Sequence, residues 1–233
     1  MPFAVSYATI PQTYLKGRIL TMSIFDRLKN QAINSANQAA RSQVNHAVNQ
    51  AANQVAQNLG SGTGAHKSAS LTLDSLPTSL EEFASLPQTA LITPFDTAAL
   101  FIFALTMYKT DKNSCIAMIN LLKGPQPLNA HDISFISDRM AQNGKAAFIA
   151  ESYFSGATPQ NNYQVAAPYT VVVSEGPYSY QEQGYASLWV RSGGADNMRS
   201  IKMRQAKDGK WYLWEYSSIL LDIRAPESTN PWV

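Results

Sequence analysis

The chain of 233 residues has 45% hydrophobic and 10% aromatic residues, which suffices for a packed core and excludes disorder throughout. Its net charge of +2 combines +5 over residues 1–70 with −3 over the remainder, which argues against a dedicated nucleic-acid binder. The single cysteine, Cys115, excludes an intrachain disulfide and a cysteine metal cluster, and it favours a reducing, cytoplasmic compartment.

The N-terminal segment, residues 1–21, is expected to be disordered or to be an extension upstream of the natural start. Met22 is followed by Ser23, which has the character of a helix cap. The segment lacks the basic start and continuous apolar stretch of a secretory signal. The longest apolar run, 98–107, would form a helix about 15 Å long, too short for a bilayer core of about 30 Å. No transmembrane segment is predicted.

Residues 22–59 are predicted to form an amphipathic helical tail. Its apolar stripe is narrow and mostly alanine, and thirteen of the 29 residues from Asn30 to Asn58 are Asn or Gln. Such a helix is marginal alone. We therefore expect residues 24–59 to bind a protein partner or a second copy of the chain; weak contact with a membrane surface through Phe25 and Leu28 stays open.

A Gly/Ser-rich linker is predicted for residues 60–70, followed by a globular domain over 71–226 and a C-terminal tail over 227–233. The Gly-x-Gly-x-Gly spacing within 60–64 is not interpreted as a phosphate loop, because a helix precedes it and no helix follows.

Four helices open the domain, each with its own start signal. A capping box starting at Thr78 predicts a short helix ending before Pro87. Further caps predict helices over about 94–108, 112–123 and 130–142. The helix over 94–108 is apolar nearly all round and is therefore predicted to be the central one. The predicted caps are Thr93, Asp111 and Asn129.

Beyond residue 168 the apolar period changes to alternation, which predicts four strands. They span 169–174, 185–191, 199–205 and 211–216, with an Asp-Gly turn at Asp208. Helices followed by strands are typical of an α+β domain. The predicted fold is four helices followed by a four-stranded antiparallel meander, behind a helix-prone tail.

Six motifs along the domain are distinctive: Leu76-Pro77-Thr78-Ser79-Leu80-Glu81-Glu82-Phe83, Thr93-Pro94-Phe95-Asp96-Thr97-Ala98-Ala99-Leu100, Lys123-Gly124-Pro125-Gln126-Pro127-Leu128, Ser152-Tyr153-Phe154-x-Gly156-Ala157-Thr158-Pro159, Pro177-Tyr178-Ser179-Tyr180 and Gly193-Gly194-Ala195-Asp196. They resemble the motifs of an uncharacterised bacterial family that is described only as a domain of unknown function. The resemblance covers about residues 71–226 and implies a bacterial, cytoplasmic origin and no known activity.

Catalytic, metal and cofactor motifs are not found, and neither a catalytic residue nor a cofactor is predicted. Cys115 and His131 would form a nucleophile and base pair if the fold joined them, but the apolar neighbours of Cys115 favour a core position. The three histidines lie in separate segments without metal-ligand spacing.

The candidate binding residues fall in two groups. Alternation places one set on the outward face of two strands, an aromatic and basic face suited to a base, carbohydrate, peptide or anion: Tyr185, Trp189, Arg191, Lys202 and Arg204. The alternative is that Trp189, Trp211 and Trp214 merely cover the core. A second set would build a site from loops, with Glu151 as the acid: Tyr153, Tyr163 and Tyr180.

The favoured function is non-enzymatic binding or scaffolding, with the tail helix as an assembly or docking device. The alternative is a small-molecule-binding domain or an enzyme with a loop-built site. A third hypothesis is a ligand-holding domain, and it rests on fold-level analogy alone. Helices followed by a sheet that ends in Lys210-Trp211-Tyr212-Leu213-Trp214 are similar to cone-shaped α+β folds that hold ligands.

Overall fold

The computed structural model describes residues 67–141 and 143–229. The predictions for residues 1–21, for the tail 22–59 and for the linker up to residue 66 lie outside the described residues. Within that part of the chain, five strands and four α-helices build an α+β domain. The elements are β1 (Ser68–Leu73), α1 (Leu80–Ser85), α2 (Pro94–Thr106), α3 (Lys112–Lys123), α4 (Ala130–Arg139), β2 (Tyr169–Ser174), β3 (Tyr185–Val190), β4 (Arg199–Gln205) and β5 (Trp211–Glu215).

Three of the four helices begin at the predicted cap. The Thr93 hydroxyl accepts the N–H of Asp96, and the Asp111 carboxylate accepts two N–H groups of the first turn of α3. Asn129 and Asp132 form a reciprocal capping box. Helices α2 and α4 end two or three residues earlier than predicted, at Thr106 and Arg139.

The first helix starts one residue later than predicted. Ser79, rather than Thr78, accepts the N–H of Glu82, and the Glu82 carboxylate accepts the N–H of Thr78 at 2.8 Å. The sequence offers two adjacent hydroxyl residues followed by two adjacent acids, so either register satisfies the capping pattern.

The sheet is antiparallel throughout and its strands lie in the order β1-β2-β3-β4-β5. Strands β1 and β2 pair over six residues, whereas β2 and β3 pair only through Val173 with Val190 and Ser174 with Trp189. The sheet therefore opens between β2 and β3. In this opening the segment Phe154–Ser155 lies beside β2 in place of β3. Ser155 donates its N–H to the carbonyl of Thr170 at 2.8 Å.

The predicted domain, residues 71–226, is a few residues too short at each end. The predicted sheet of four strands also lacks one strand, β1. Residues 68–70, assigned to the linker, belong to β1, because β2 supplies the hydrogen-bond partners from far along the chain. At the other end, the turn Glu227–Thr229 docks on the domain, and Glu227 donates its N–H to the Pro159 carbonyl at 2.9 Å.

Helix α2 forms the centre of the core. It contacts all five strands, and its apolar residues from Phe95 to Leu105 are buried, as its all-round apolar sequence predicts. The face of the sheet that packs on the helices is called the inner face, and the opposite one the outer face. Among the described residues, no helix has the length and apolar character needed to cross a bilayer.

Candidate functional site

The outer face of β3 and β4 carries the residues that the alternation assigns to it. Along β3, Ala186, Leu188 and Val190 are buried, and the residues between them are half-buried. The register sets Tyr185 opposite Arg204 and Ser187 opposite Lys202. Because paired residues of antiparallel strands share a face, three predicted binding residues are brought together.

These three residues and Trp214 form what we call the aromatic–basic cluster: Tyr185, Lys202, Arg204 and Trp214. The Lys202 ammonium lies 4.5 Å from the centroid of the Tyr185 ring, and the Arg204 guanidinium lies 4.7 Å from that of Trp214. The two rings meet edge to face with centroids 5.7 Å apart. Such stacking orders both cations beside an aromatic surface.

Trp214 was predicted only as a residue that covers the core, and the structure corrects this. Its neighbour Leu213 is buried opposite Met203, while Lys202 lies opposite Glu215, so Trp214 is one extra residue on β5. Such a bulge re-aims a side chain. Trp214 is 36% exposed on the outer face, whereas Trp211 packs against the core as expected.

A cavity of about 280 Å³ adjoins the cluster, and we call it the cationic cavity. Three basic residues line it, Lys123, Arg204 and Lys207, with the rings of Tyr212 and Trp214, and none of its lining residues is acidic. Outside the lining, the Asp208 carboxylate accepts the Tyr212 hydroxyl at 2.9 Å, and the N–H of Lys210 lowers the pKa of Asp208. The cavity therefore presents positive charge beside aromatic surface.

Trp189 and Arg191 do not join the cluster. The Trp189 ring is half-buried and lies against Gly176, where an added Cβ would come within 3.0 Å of the ring. Arg191 follows the end of β3 and lines a different, larger cavity. The five predicted outer-face residues thus lie in three places: three in the cluster, Trp189 beside Gly176, and Arg191 in the larger cavity.

The larger cavity, which we call the divergence groove, holds about 480 Å³ where β2 and β3 separate. It combines apolar surface with one cation: Val172 and Met198 are 39% and 40% exposed, and Arg191 is exposed. Its lining residues are Tyr153, Phe154, Ser155, Gly156, Ala157, Thr158, Val172, Ser174, Arg191, Gly193 and Met198.

Two of the motifs noted in the sequence meet beside this groove. Gly193 donates its N–H to the Ser152 carbonyl at 2.7 Å, and the buried hydroxyls of Ser152 and Ser192 lie 2.8 Å apart. The Gly193 backbone also packs directly on the carbonyl of Ala157. In the sequence both segments are noted only as motifs of the family resemblance, and no signal indicates that they touch, since the contact is tertiary.

The three loop tyrosines do not show a shared site. Tyr153 is buried and donates its hydroxyl to the Ile219 carbonyl at 2.7 Å, and burial raises its pKa. Tyr163 is buried and donates to the Arg224 carbonyl at 2.8 Å, whereas the exposed Tyr180 donates to Glu175. Glu151 pairs with Lys109 at 2.6 Å. Two of the hydroxyls thus hold the C-terminal segment to the domain.

Cys115 is a core residue. Its side chain is fully buried in α3, and burial raises the pKa of the thiol to about 12, which leaves almost no thiolate at neutral pH. His131 is exposed in the first turn of α4. The core position that the sequence favours for Cys115 is therefore confirmed, and the alternative of a nucleophile and base pair is not supported. Within residues 67–141 and 143–229, no three His, Cys, Asp or Glu side chains come together as a metal site requires.

Comparisons with known proteins give one family match and no activity. A family model described as a domain of unknown function (DUF6935) matches residues 75–227. A search of curated proteins and a search of solved structures found no match.

Proposed function

Because the chain belongs to the family of the domain of unknown function DUF6935, which brings no activity with it, we propose from the geometry that this domain is a non-enzymatic binding module. The observation that carries the proposal is the aromatic–basic cluster beside the cationic cavity. The partner that suits it is a peptide segment presenting carboxylates next to aromatic side chains.

Charge and accessibility support this choice of partner. Arg204 is exposed, stacks on Tyr185 and Trp214, and forms no ion pair with any described residue. A stacked guanidinium is already ordered and has its N–H groups directed outward, so it loses little freedom when it binds a carboxylate. Lys202, by contrast, is paired with Glu182. Arg204 is therefore the principal anchor.

We expect Arg204→Ala to weaken binding of an acidic peptide about tenfold, because exposed arginine and tryptophan anchors dominate such interfaces. The measurement is fluorescence anisotropy of a labelled peptide of alternating glutamate and tyrosine, in low and high salt. Rising salt should weaken binding, since the attraction is electrostatic.

The matched control is Arg139→Ala, which removes another exposed arginine stacked on an aromatic ring, here Phe135 on α4 at 5.5 Å. This variant should bind the peptide as the wild type does. Equal loss in both variants, or equal binding of a lysine–tyrosine peptide, would contradict the proposal.

A second candidate is small-molecule binding in the divergence groove. The specific observation is the combination of a cavity of about 480 Å³ with exposed Val172 and Met198 beside Arg191. Among its lining residues there is no acid, so an apolar molecule with a carboxylate fits both features.

Octanoate is expected to bind the groove more tightly than octanol by isothermal titration, because Arg191 can pair only with the former. Arg191→Ala should remove the difference and leave the octanol affinity unchanged. Equal affinities of the wild type for the two compounds would count against a groove that selects anions.

The wider setting of the proposal follows from the sequence. The single cysteine and the family resemblance support a bacterial, cytoplasmic protein. The tail, residues 24–59, is proposed to dock on a partner or on a second copy, which would present several domains together and strengthen weak binding.

A further inference from the structure

The two edge strands of the sheet, β1 and β5, differ in whether their outward-facing backbone groups have hydrogen-bond partners. At the β5 edge, the N–H of Trp211 donates to the Leu91 carbonyl at 2.8 Å, and the Trp211 carbonyl accepts the Thr97 hydroxyl at 2.6 Å. The bulge at Trp214 interrupts the rest of that edge. Both features prevent another strand from adding there.

The β1 edge is open within the described chain. The Lys67 carbonyl accepts the N–H of Glu175 at 2.8 Å, so the backbone groups of the odd-numbered residues face β2. In an antiparallel strand the N–H and C=O of alternate residues point to opposite sides. Those of Ser68, Ser70 and Thr72 therefore point away from β2, and no described residue bonds to them.

The composition of β1 leaves this edge unprotected. Soluble proteins block open edges with charged side chains, proline or a bulge. Strand β1, Ser68–Leu73, has none of these: it is six residues of Ser, Ala, Leu and Thr, in unbroken register with β2. Two copies would approach without charge repulsion.

We propose that β1 is a self-association edge, at which a second copy of the chain adds its own β1 antiparallel. The two-fold axis would pass through Ser70, so that Ser70 lies opposite the partner's Ser70 and Ser68 lies opposite the partner's Thr72. Paired residues must share a face, which excludes a shift by one residue. The three pairs exchange about six hydrogen bonds and join two sheets into one.

The side chains fit this register. On the outer face it pairs serine with serine and serine with threonine. Hydroxyl residues already pair in this way between β1 and β2, where the Ser68 and Ser174 hydroxyls and the Thr72 and Thr170 hydroxyls each lie 2.9 Å apart. On the inner face, Leu71 lies opposite the partner's Ala69, so apolar groups meet beside the core.

The register is tested by cysteine crosslinking of the full chain. Hydrogen-bonded antiparallel pairs have Cα atoms about 5.5 Å apart, within the range of a disulfide. Ser70→Cys should therefore give a covalent dimer under mild oxidation. Ser68→Cys is the matched control, because the two copies of residue 68 would lie about 14 Å apart. The native Cys115 is buried and should not react.

The solution mass is tested by light scattering of the full chain at several concentrations. Ser70→Pro removes one N–H that makes no bond within the described chain, so β1 should still pair with β2 while the dimer is lost; Ser70→Thr keeps the N–H and should keep the dimer. Circular dichroism checks that both variants fold.

A monomer at every concentration that yields no disulfide at residue 70 overturns the proposal. So does a dimer that persists in Ser70→Pro and does not crosslink at residue 70, since that dimer would form elsewhere, for example through residues 24–59. The result is independent of peptide binding, because Arg204 lies on β4 and can be measured in monomers.

Discussion

Gly193→Ala is expected to destabilise the domain by about 3 kcal/mol, because an added Cβ would overlap the backbone carbonyl of Ala157. A backbone atom cannot rotate aside as a side chain can. The N–H of Gly193 is also fixed by its bond to the Ser152 carbonyl, so the two segments cannot separate without losing it. Urea unfolding followed by circular dichroism measures the change.

Gly144→Ala provides the matched control for Gly193→Ala. Gly144 has φ +50°, and an added Cβ would meet nothing within 4 Å. Its replacement should cost only the strain of the left-handed backbone, about 1 kcal/mol. If both alanine variants unfold at the same urea concentration, the close packing of the two loops is not what stabilises this region.

Phe103→Ala is expected to lower the free energy of unfolding by about 3–5 kcal/mol. Phe103 is fully buried in α2, and its ring lies 5.4 Å from that of Phe154, which lines the divergence groove. Removing it leaves a cavity beneath the loop that enters the sheet. Phe103→Leu keeps most of the volume and should cost less than about 1.5 kcal/mol.

The surface comparison for Phe103→Ala is Ile92→Ala, since Ile92 is 64% exposed. That variant should change stability by less than about 0.5 kcal/mol. Equal effects of Phe103→Ala and Ile92→Ala in the same denaturant titration would contradict a core centred on α2.

Helix starts and strand faces could be predicted from the sequence because both depend on local chemistry. A hydroxyl or carboxylate followed by an acid three residues on satisfies free N–H groups within one turn, as at Asn129. Alternation along β3 and β4 likewise predicts which residues are buried. It places Tyr185, Lys202 and Arg204 on one face, as the structure confirms.

The features that the sequence did not predict depend on distant contacts. Residues 68–73 alternate polar and apolar side chains, but the alternation is short and follows a Gly/Ser-rich segment, so the predicted linker extends into a strand that β2 completes. Trp214 faces outward because of one extra residue on β5, and the divergence groove exists because residues near Phe154 occupy the place of β3. Neither leaves a periodic signal in the chain.

The position of β1 ahead of all four helices has a consequence for synthesis. Ser68 bonds to Ser174, which is 106 residues further along the chain. At translation rates of about 5–20 residues per second, β1 leaves the ribosome about 5–20 seconds before its partner strand and waits with both edges open. Three of its six residues carry hydroxyls, which can hydrogen-bond to water during this interval. Because β1 has no charge or proline to block its edges, this interval is also when it is open to pairing with another chain.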